Sequence, residues 1–131
     1  MNRKRTTWTE ESLNACEKIN ESFARAGILQ QVEYERIANH LYRAKKLDRP
    51  ATLTVSQWLS TVRYFRYRCA YCLKQPYGIV EHFVSLSAGG GTTADNCVPA
   101  CQSCNVRKTQ GTLSAEALHR VQAYLEGAVV V

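Results

Sequence analysis

Cys69-Ala70-Tyr71-Cys72, Val80-Glu81-His82-Phe83-Val84, Gly89-Gly90-Gly91 and Asn96-Cys97-Val98-Pro99-Ala100-Cys101-Gln102-Ser103-Cys104-Asn105-Val106-Arg107-Lys108 follow one another in a single run, and that run decides the fold. Its frame is two Cys-x-x-Cys pairs, Cys69/Cys72 and Cys101/Cys104. A tight turn lets both sulfurs of such a pair face one ion, and zinc takes four thiolates in a tetrahedron. Cys101 and Cys104 stand three apart, so a short helix puts them on one side. The loop between the pairs is long for a zinc ribbon and must hold structure of its own, which two short strands supply. Two disulfides or free core thiols are the alternatives, and a reducing compartment disfavours the first. A redox role for one pair leaves the second unexplained. Cys16 and Cys97, outside the pairs, read as packing residues, since lone cysteines behave as small hydrophobes.

A four-thiolate site leaves no open position for water or substrate, so this zinc is structural. Its binding free energy, on the order of 10 kcal/mol or more, folds a segment with few core residues. Any metal that does chemistry must be a second one.

Working outward, the chain has 131 residues, which favours one domain or one domain with a helical extension. No apolar run approaches the roughly 18 residues of a membrane span. Met1-Asn2-Arg3-Lys4-Arg5 is basic, but polar Thr6-Thr7 follow without an apolar segment, so no secretory signal is expected and the expected location is cytoplasmic. The net charge of +6 is unevenly placed. Residues 1–68 hold thirteen Lys/Arg against seven Asp/Glu, whereas residues 69–131 hold four of each. A basic surface attracts polyanions such as nucleic acid, and it also serves plain solubility.

Before the run, periodicity predicts three helices. Thr9 caps the first, about 10–26, with Leu13, Cys16, Ile19, Phe23 and Ala26 inward and Gly27 as its stop. The second spans about 28–46, with Ile28, Val32, Ile37, Leu41 and Ala44 as its apolar stripe, and Asp48-Arg49-Pro50 ends it. Thr54-Val55-Ser56-Gln57 reads as a capping box that opens the third, to about Tyr67, burying Val55, Trp58, Leu59, Val62 and Phe65. Strands are expected at 79–84 and 96–98, a loop at 86–93 and a short helix at 100–108. Ser114 caps a last helix through about Leu125, with Gly127 as its stop and Ala128–Val131 as an apolar tail.

Taken in order, these elements resemble the HNH endonucleases of the ββα-metal (His-Me finger) group, in its zinc-containing four-cysteine subgroup. The resemblance rests on Cys-x-x-Cys, an acidic residue followed by His, a Gly-Gly loop, an Asn, and Cys-x-x-Cys-Asn-x-x-Lys over residues 69–108. Leu53–Phe65 looks like the helix that precedes the motif in some members. The resemblance implies divalent-metal-dependent hydrolysis of DNA phosphodiesters. It implies His82 as general base, Glu81 and Asn105 as ligands of a catalytic Mg²⁺ or Mn²⁺, and Asn96 as the residue tying the extended segments together. Arg107, Lys108 and Lys74 are implied as contacts to DNA phosphates. An unperturbed imidazole pKa near 6.5 suits a base at neutral pH, and hard oxygen ligands suit Mg²⁺. Asn105 makes this the HNN form of the motif. Three departures stand out: Glu81 where Asp is more usual, Ser85 where Pro is common, and Leu73 where Gly is common. Neighbours on a regular strand point to opposite faces, so Glu81 and His82 should lie at a strand end or bulge.

The expected architecture is therefore α+β and mainly helical: a zinc-stapled ββα motif at 67–112, a basic helical region at 1–66 and a C-terminal helix and tail at 113–131. DNA is the expected partner and no membrane is. A phage terminase-type or restriction-type partner, the oligomeric state and the choice of nick or double cut stay open. The rival from another class is a non-catalytic four-cysteine zinc module that binds nucleic acid or protein; it needs the cysteines but not Glu81, His82 and Asn105.

Overall fold

In the computed structural model, residues 7–128 are described; the basic stretch 1–5 and the tail residues 129–131 lie outside them. Helix α1 (Glu10–Arg25) opens with a capping box, in which the Thr9 hydroxyl accepts from the Ser12 N–H and the Ser12 side chain accepts from the Thr9 N–H. Gly27, at φ 78, turns the chain into α2 (Ile28–Lys46); the left-handed backbone there favours glycine. Helix α3 (Val55–Tyr64) begins with the Thr54/Gln57 capping box.

Strands β1 (Ile79–His82) and β2 (Cys97–Ala100) pair antiparallel, with Glu81 opposite Val98 and His82 opposite Cys97. A short 3-10 turn, Leu86–Ala88, lies in the connection. Helix α4 (Gln102–Thr109) follows β2 directly, and its first turn is capped by Cys101, whose sulfur accepts from the Cys104 N–H. Helix α5 (Ala115–Ala128) packs last. Ser114 caps it through the Ala117 N–H at 3.1 Å. The helix runs through Gly127 instead of stopping there, since glycine only weakens a helix. The fold is thus α+β and mainly helical, with the ββα unit formed by β1, β2 and α4.

Two clusters make the core. One gathers Cys69, Tyr71, Val98, Cys101 and Cys104 with Phe65 and with Val121 and Leu125 of α5. The other gathers Leu29 and Ile37 of α2, Trp58 and Val62 of α3, and Val80 and Cys97 of the strands. Both clusters draw on residues before and after position 67, so the helices and the ββα unit share their burial.

The apolar stripe expected on α1 is not its buried face, and the one expected on α2 is buried only in its second half, at Ile37 and Ala44. Leu13 is buried, but Ile19 is 53% and Phe23 44% exposed. Helix α1 instead docks through polar residues at 10, 14, 17 and 21, one helical face. Glu10 takes a two-pronged grip from Arg68 (3.0 and 2.9 Å), Asn14 accepts from Arg66 and Arg68, Glu17 accepts from Arg66 and Glu21 from Arg63 and the Tyr67 hydroxyl. In α2 the buried face is Leu29, Glu33, Ile37 and Ala44, leaving Ile28 and Val32 exposed. Glu33 is fully buried because its carboxylate is fully partnered. It accepts from Trp58 Nε1 (3.1 Å), the Tyr77 hydroxyl (2.9 Å) and Arg36 Nε (2.7 Å). A charge buried with that many donors is tolerable, and it clamps α2 to α3 and to the turn before β1.

Candidate active site

The four paired cysteines meet as the sequence requires. Sulfurs of Cys69, Cys72, Cys101 and Cys104 all lie within 4.8 Å of one another, close to the spacing of four sulfurs around one ion at about 2.3 Å each. All four are free thiols, as are Cys16 and Cys97. Backbone N–H groups of Lys74 and Cys104 point at the sulfurs of Cys72 (3.5 Å) and Cys101 (3.4 Å). The hydrogen bond shared with Cys69 holds the Cys72 thiol well below its usual range, while the same bond and burial push Cys69 up. One thiolate forms readily, and Cys69 and Cys104 then resist ionising. A dication at the centre removes that conflict, so the donor set fits zinc.

From this cluster a side chain reaches to the other chemistry. Tyr71, inside the first Cys-x-x-Cys, donates its hydroxyl to Glu81 Oε2. Lys108 Nζ lies 3.0 Å from Glu81 Oε1 and also donates to the carbonyls of Phe83 (2.8 Å) and His82 (3.3 Å). Glu81 is only 5% exposed. Burial raises the Glu81 pKa, against Tyr71 and Lys108, which lower it. The Lys108 ammonium thus sits in a cradle of three oxygens where a cation would bind. A carboxylate keeps further lone pairs, so by donor chemistry Glu81 fits a hard divalent ion, provided that the long Lys108 stem swings away.

His82 ends β1 and turns to the opposite side. Its Nε2 lies 2.9 Å from Thr92 Oγ1, and the Thr92 hydroxyl donates to the His40 carbonyl at 3.0 Å. A threonine hydroxyl has one proton. Because that proton goes to the carbonyl, Oγ1 must accept from Nε2–H, and the lone pair of neutral His82 resides on Nδ1. Among the described residues Nδ1 has no partner. Burial, then the charges of His40, Arg43 and Lys108, push the His82 pKa down to about 4, so the imidazole is neutral at pH 7.

The loop behind His82 is set by Asn96. Its Oδ1 accepts from the Val84 N–H (2.8 Å), and its Nδ2 donates to the carbonyls of Val84 (2.9 Å) and Gly91 (2.8 Å). Gly90 permits this closeness, because a Cβ there would lie 1.9 Å from the Val84 oxygen and 2.8 Å from Asn96 Nδ2. The Gly89–Gly91 triplet is therefore a packed corner as much as a turn.

One cleft of about 970 Å³ brings together Glu81, His82, Asn105 and Lys108. Asn105 enters it from α4, one step past the ligand Cys104, and its side-chain amide makes no hydrogen bond among the described residues. Asn96 lines the neighbouring groove by the glycines. Arg107 donates to Cys104 Sγ at 3.3 Å and Lys74 is exposed beside the zinc loop, so both flank the cysteine cluster and neither lines the cleft. Four residues escaped the sequence reading: Tyr71, Thr92, and the α2 residues His40 and Arg43, which line or support the cleft from outside the motif. Only the aromatic between the first two cysteines offered a signal, and it reads equally well as packing.

Residues 69–111 match the family model described as HNH endonuclease. Nothing among the curated proteins or the solved structures matches the chain. About a third of the chain thus resembles the HNH endonucleases, its cysteine cluster is compatible with their zinc-binding subgroup, and the match suggests a nuclease-type function. HNH nucleases are metal-dependent and act on DNA. No helix among the described residues is long and apolar enough to cross a membrane.

Proposed function

We propose that this chain is a divalent-cation-dependent endonuclease that hydrolyses DNA phosphodiesters, with His82 as general base. The observation that carries the reading is the relay from His82 Nε2 through Thr92 to the His40 carbonyl. It fixes the tautomer and leaves Nδ1 as a neutral, unpartnered acceptor on a residue that lines the cleft.

His82 takes a proton from the attacking water through Nδ1 as the new oxygen–phosphorus bond forms and the bond to the 3′ oxygen breaks. The departing oxygen ends as a hydroxyl, its proton coming from solvent. A positioned base of this kind contributes about 10²–10⁴-fold. Glu81 and Asn105 would hold the divalent ion, Mg²⁺ or Mn²⁺. When bound, it offsets charge developing on the phosphoryl and departing oxygens. Lys108, released from Glu81, turns its ammonium to the substrate phosphate. Tyr71 keeps Glu81 aimed, Asn96 holds the loop that backs His82, and Arg107 and Lys74 reach phosphates flanking the cut.

Plasmid nicking tests this. Supercoiled DNA should be cut with Mg²⁺ or Mn²⁺, cutting should stop on chelation, and added Mg²⁺ should restore it while protein-bound zinc stays constant. Zinc-loaded, folded protein that binds DNA but never cuts it with either ion would establish the non-catalytic zinc module instead.

A further inference from the structure

We infer that α2, which lies outside the HNH-matched segment, is the second wall of the nucleic-acid cleft, with Arg43 and His40 gripping a backbone phosphate opposite His82. The inference rests on the nuclease reading and names residues that bind its substrate.

Arg36, His40 and Arg43 stand at i, i+4 and i+7, one helical face, and all three line the cleft that holds His82, Asn105 and Lys108. The face is fixed rigidly. Glu33 locks α2 to Trp58 and Tyr77, Arg36 donates to the Gly78 carbonyl just before β1, and the His40 carbonyl accepts from Thr92. The His40 ring lies 5.2 Å from the His82 ring, centroid to centroid. His40 Nδ1 is enclosed and has no hydrogen-bond partner among the described residues, which is costly unless a ligand or water supplies one.

Charge says what the ligand is. Three cations line the cleft, Arg36, Arg43 and Lys108, against the single carboxylate of Glu81, and Lys108 already neutralises that one. Arg36 is committed to Glu33. The Arg43 side chain makes no ion pair or hydrogen bond among the described residues and remains free for an anion. Arg43 also complements the negative end of α2; Lys45 and Lys46 do so from the same last turn, so that role does not account for the side chain that faces the imidazoles. A planar guanidinium and an imidazole N–H on one face suit the non-bridging oxygens of a phosphodiester.

The experiment has two arms. On a His82→Ala background, binding of a duplex oligonucleotide is measured across a salt series for Arg43→Ala, Arg43→Lys and, as a control for bulk charge, Lys18→Ala on α1. We expect Arg43→Ala to weaken binding about 10–100-fold, as for loss of a charged hydrogen bond, and to lower the slope of log affinity against log salt by about 0.9, the value of one phosphate contact. Arg43→Lys should keep the slope, and Lys18→Ala should change little. In the second arm, with His82 intact, His40→Ala should slow nicking at saturating DNA about tenfold or more, although the backbone carbonyl that orients Thr92 is retained. Equal effects from Arg43→Ala and Lys18→Ala in the first arm, or full nicking by the His40→Ala protein in the second, would overturn the inference. If the wild-type protein never nicks yet Arg43→Ala still lowers affinity and slope, the second wall stands and the nuclease reading falls.

Discussion

Tyr71 joins two kinds of chemistry in one side chain: its backbone belongs to the cysteine turn and its hydroxyl to Glu81. Tyr71→Phe removes the donor but keeps the ring. We expect a loss of about 1–3 kcal/mol in urea unfolding, the cost of a buried acceptor left unmade, with zinc content unchanged. His82 offers a second test, in pH. In the proposed role of general base its neutral form is the active one, and burial with nearby positive charge pushes its pKa down to about 4. Activity should therefore persist as pH falls through 6.5 and disappear only on approach to 4. The profile of kcat/KM, which reports free-enzyme groups, checks this, and an acid limb at 6.5 or above would contradict the buried setting. The paired cysteines were legible in sequence as spacing, and Glu81, His82, Asn96 and Asn105 as positions that the family resemblance implied. Thr92 and His40 were not, because a threonine in a loop and a histidine on a helix gain their roles only from a hydrogen bond across 52 residues.

At the scale of elements, local signals located every helix and both strands. The N-cap at Thr9, the capping box at Thr54 and the strand-like run at Ile79 did so because the forces involved are short-ranged. Which face each helix buries was harder. Ile19 and Phe23 suggested an apolar stripe on α1, yet the helix docks through Glu10, Asn14, Glu17 and Glu21. The arginines at 63, 66 and 68 that select this face lie about fifty residues away, beyond the reach of periodicity. Most of these pairs are exposed, so they weaken with salt. Glu33 differs, being enclosed with three donors. Glu33→Ala should cost about 3–5 kcal/mol in denaturant unfolding, as when one partner of a buried pair is removed. It should also lower DNA affinity by loosening α2. Glu33→Gln should be milder, since it keeps the shape and part of the hydrogen bonding.

Across the whole molecule, the cysteine cluster does more than close a turn. Cys69, Cys101 and Cys104 belong to the same packed cluster as Phe65 of the N-terminal half and Val121 and Leu125 of α5. Metal analysis should find one zinc per chain, and Cys101→Ala should lose zinc and thermal cooperativity together; a metal-free variant with the wild-type melting profile would refute the structural role. The placement of α2 across the cleft from β1 and α4 was the least legible feature, since it depends on Glu33 and His40 meeting partners far along the chain. The most direct test of the central claim is the DNA nicking rate of His82→Ala beside wild type, with Mg²⁺ or Mn²⁺, DNA affinity and melting being followed on the same samples. The account predicts cleavage reduced by about 10²-fold or more, with folding and DNA affinity nearly intact. A His82→Ala protein that cuts at the wild-type rate would contradict it.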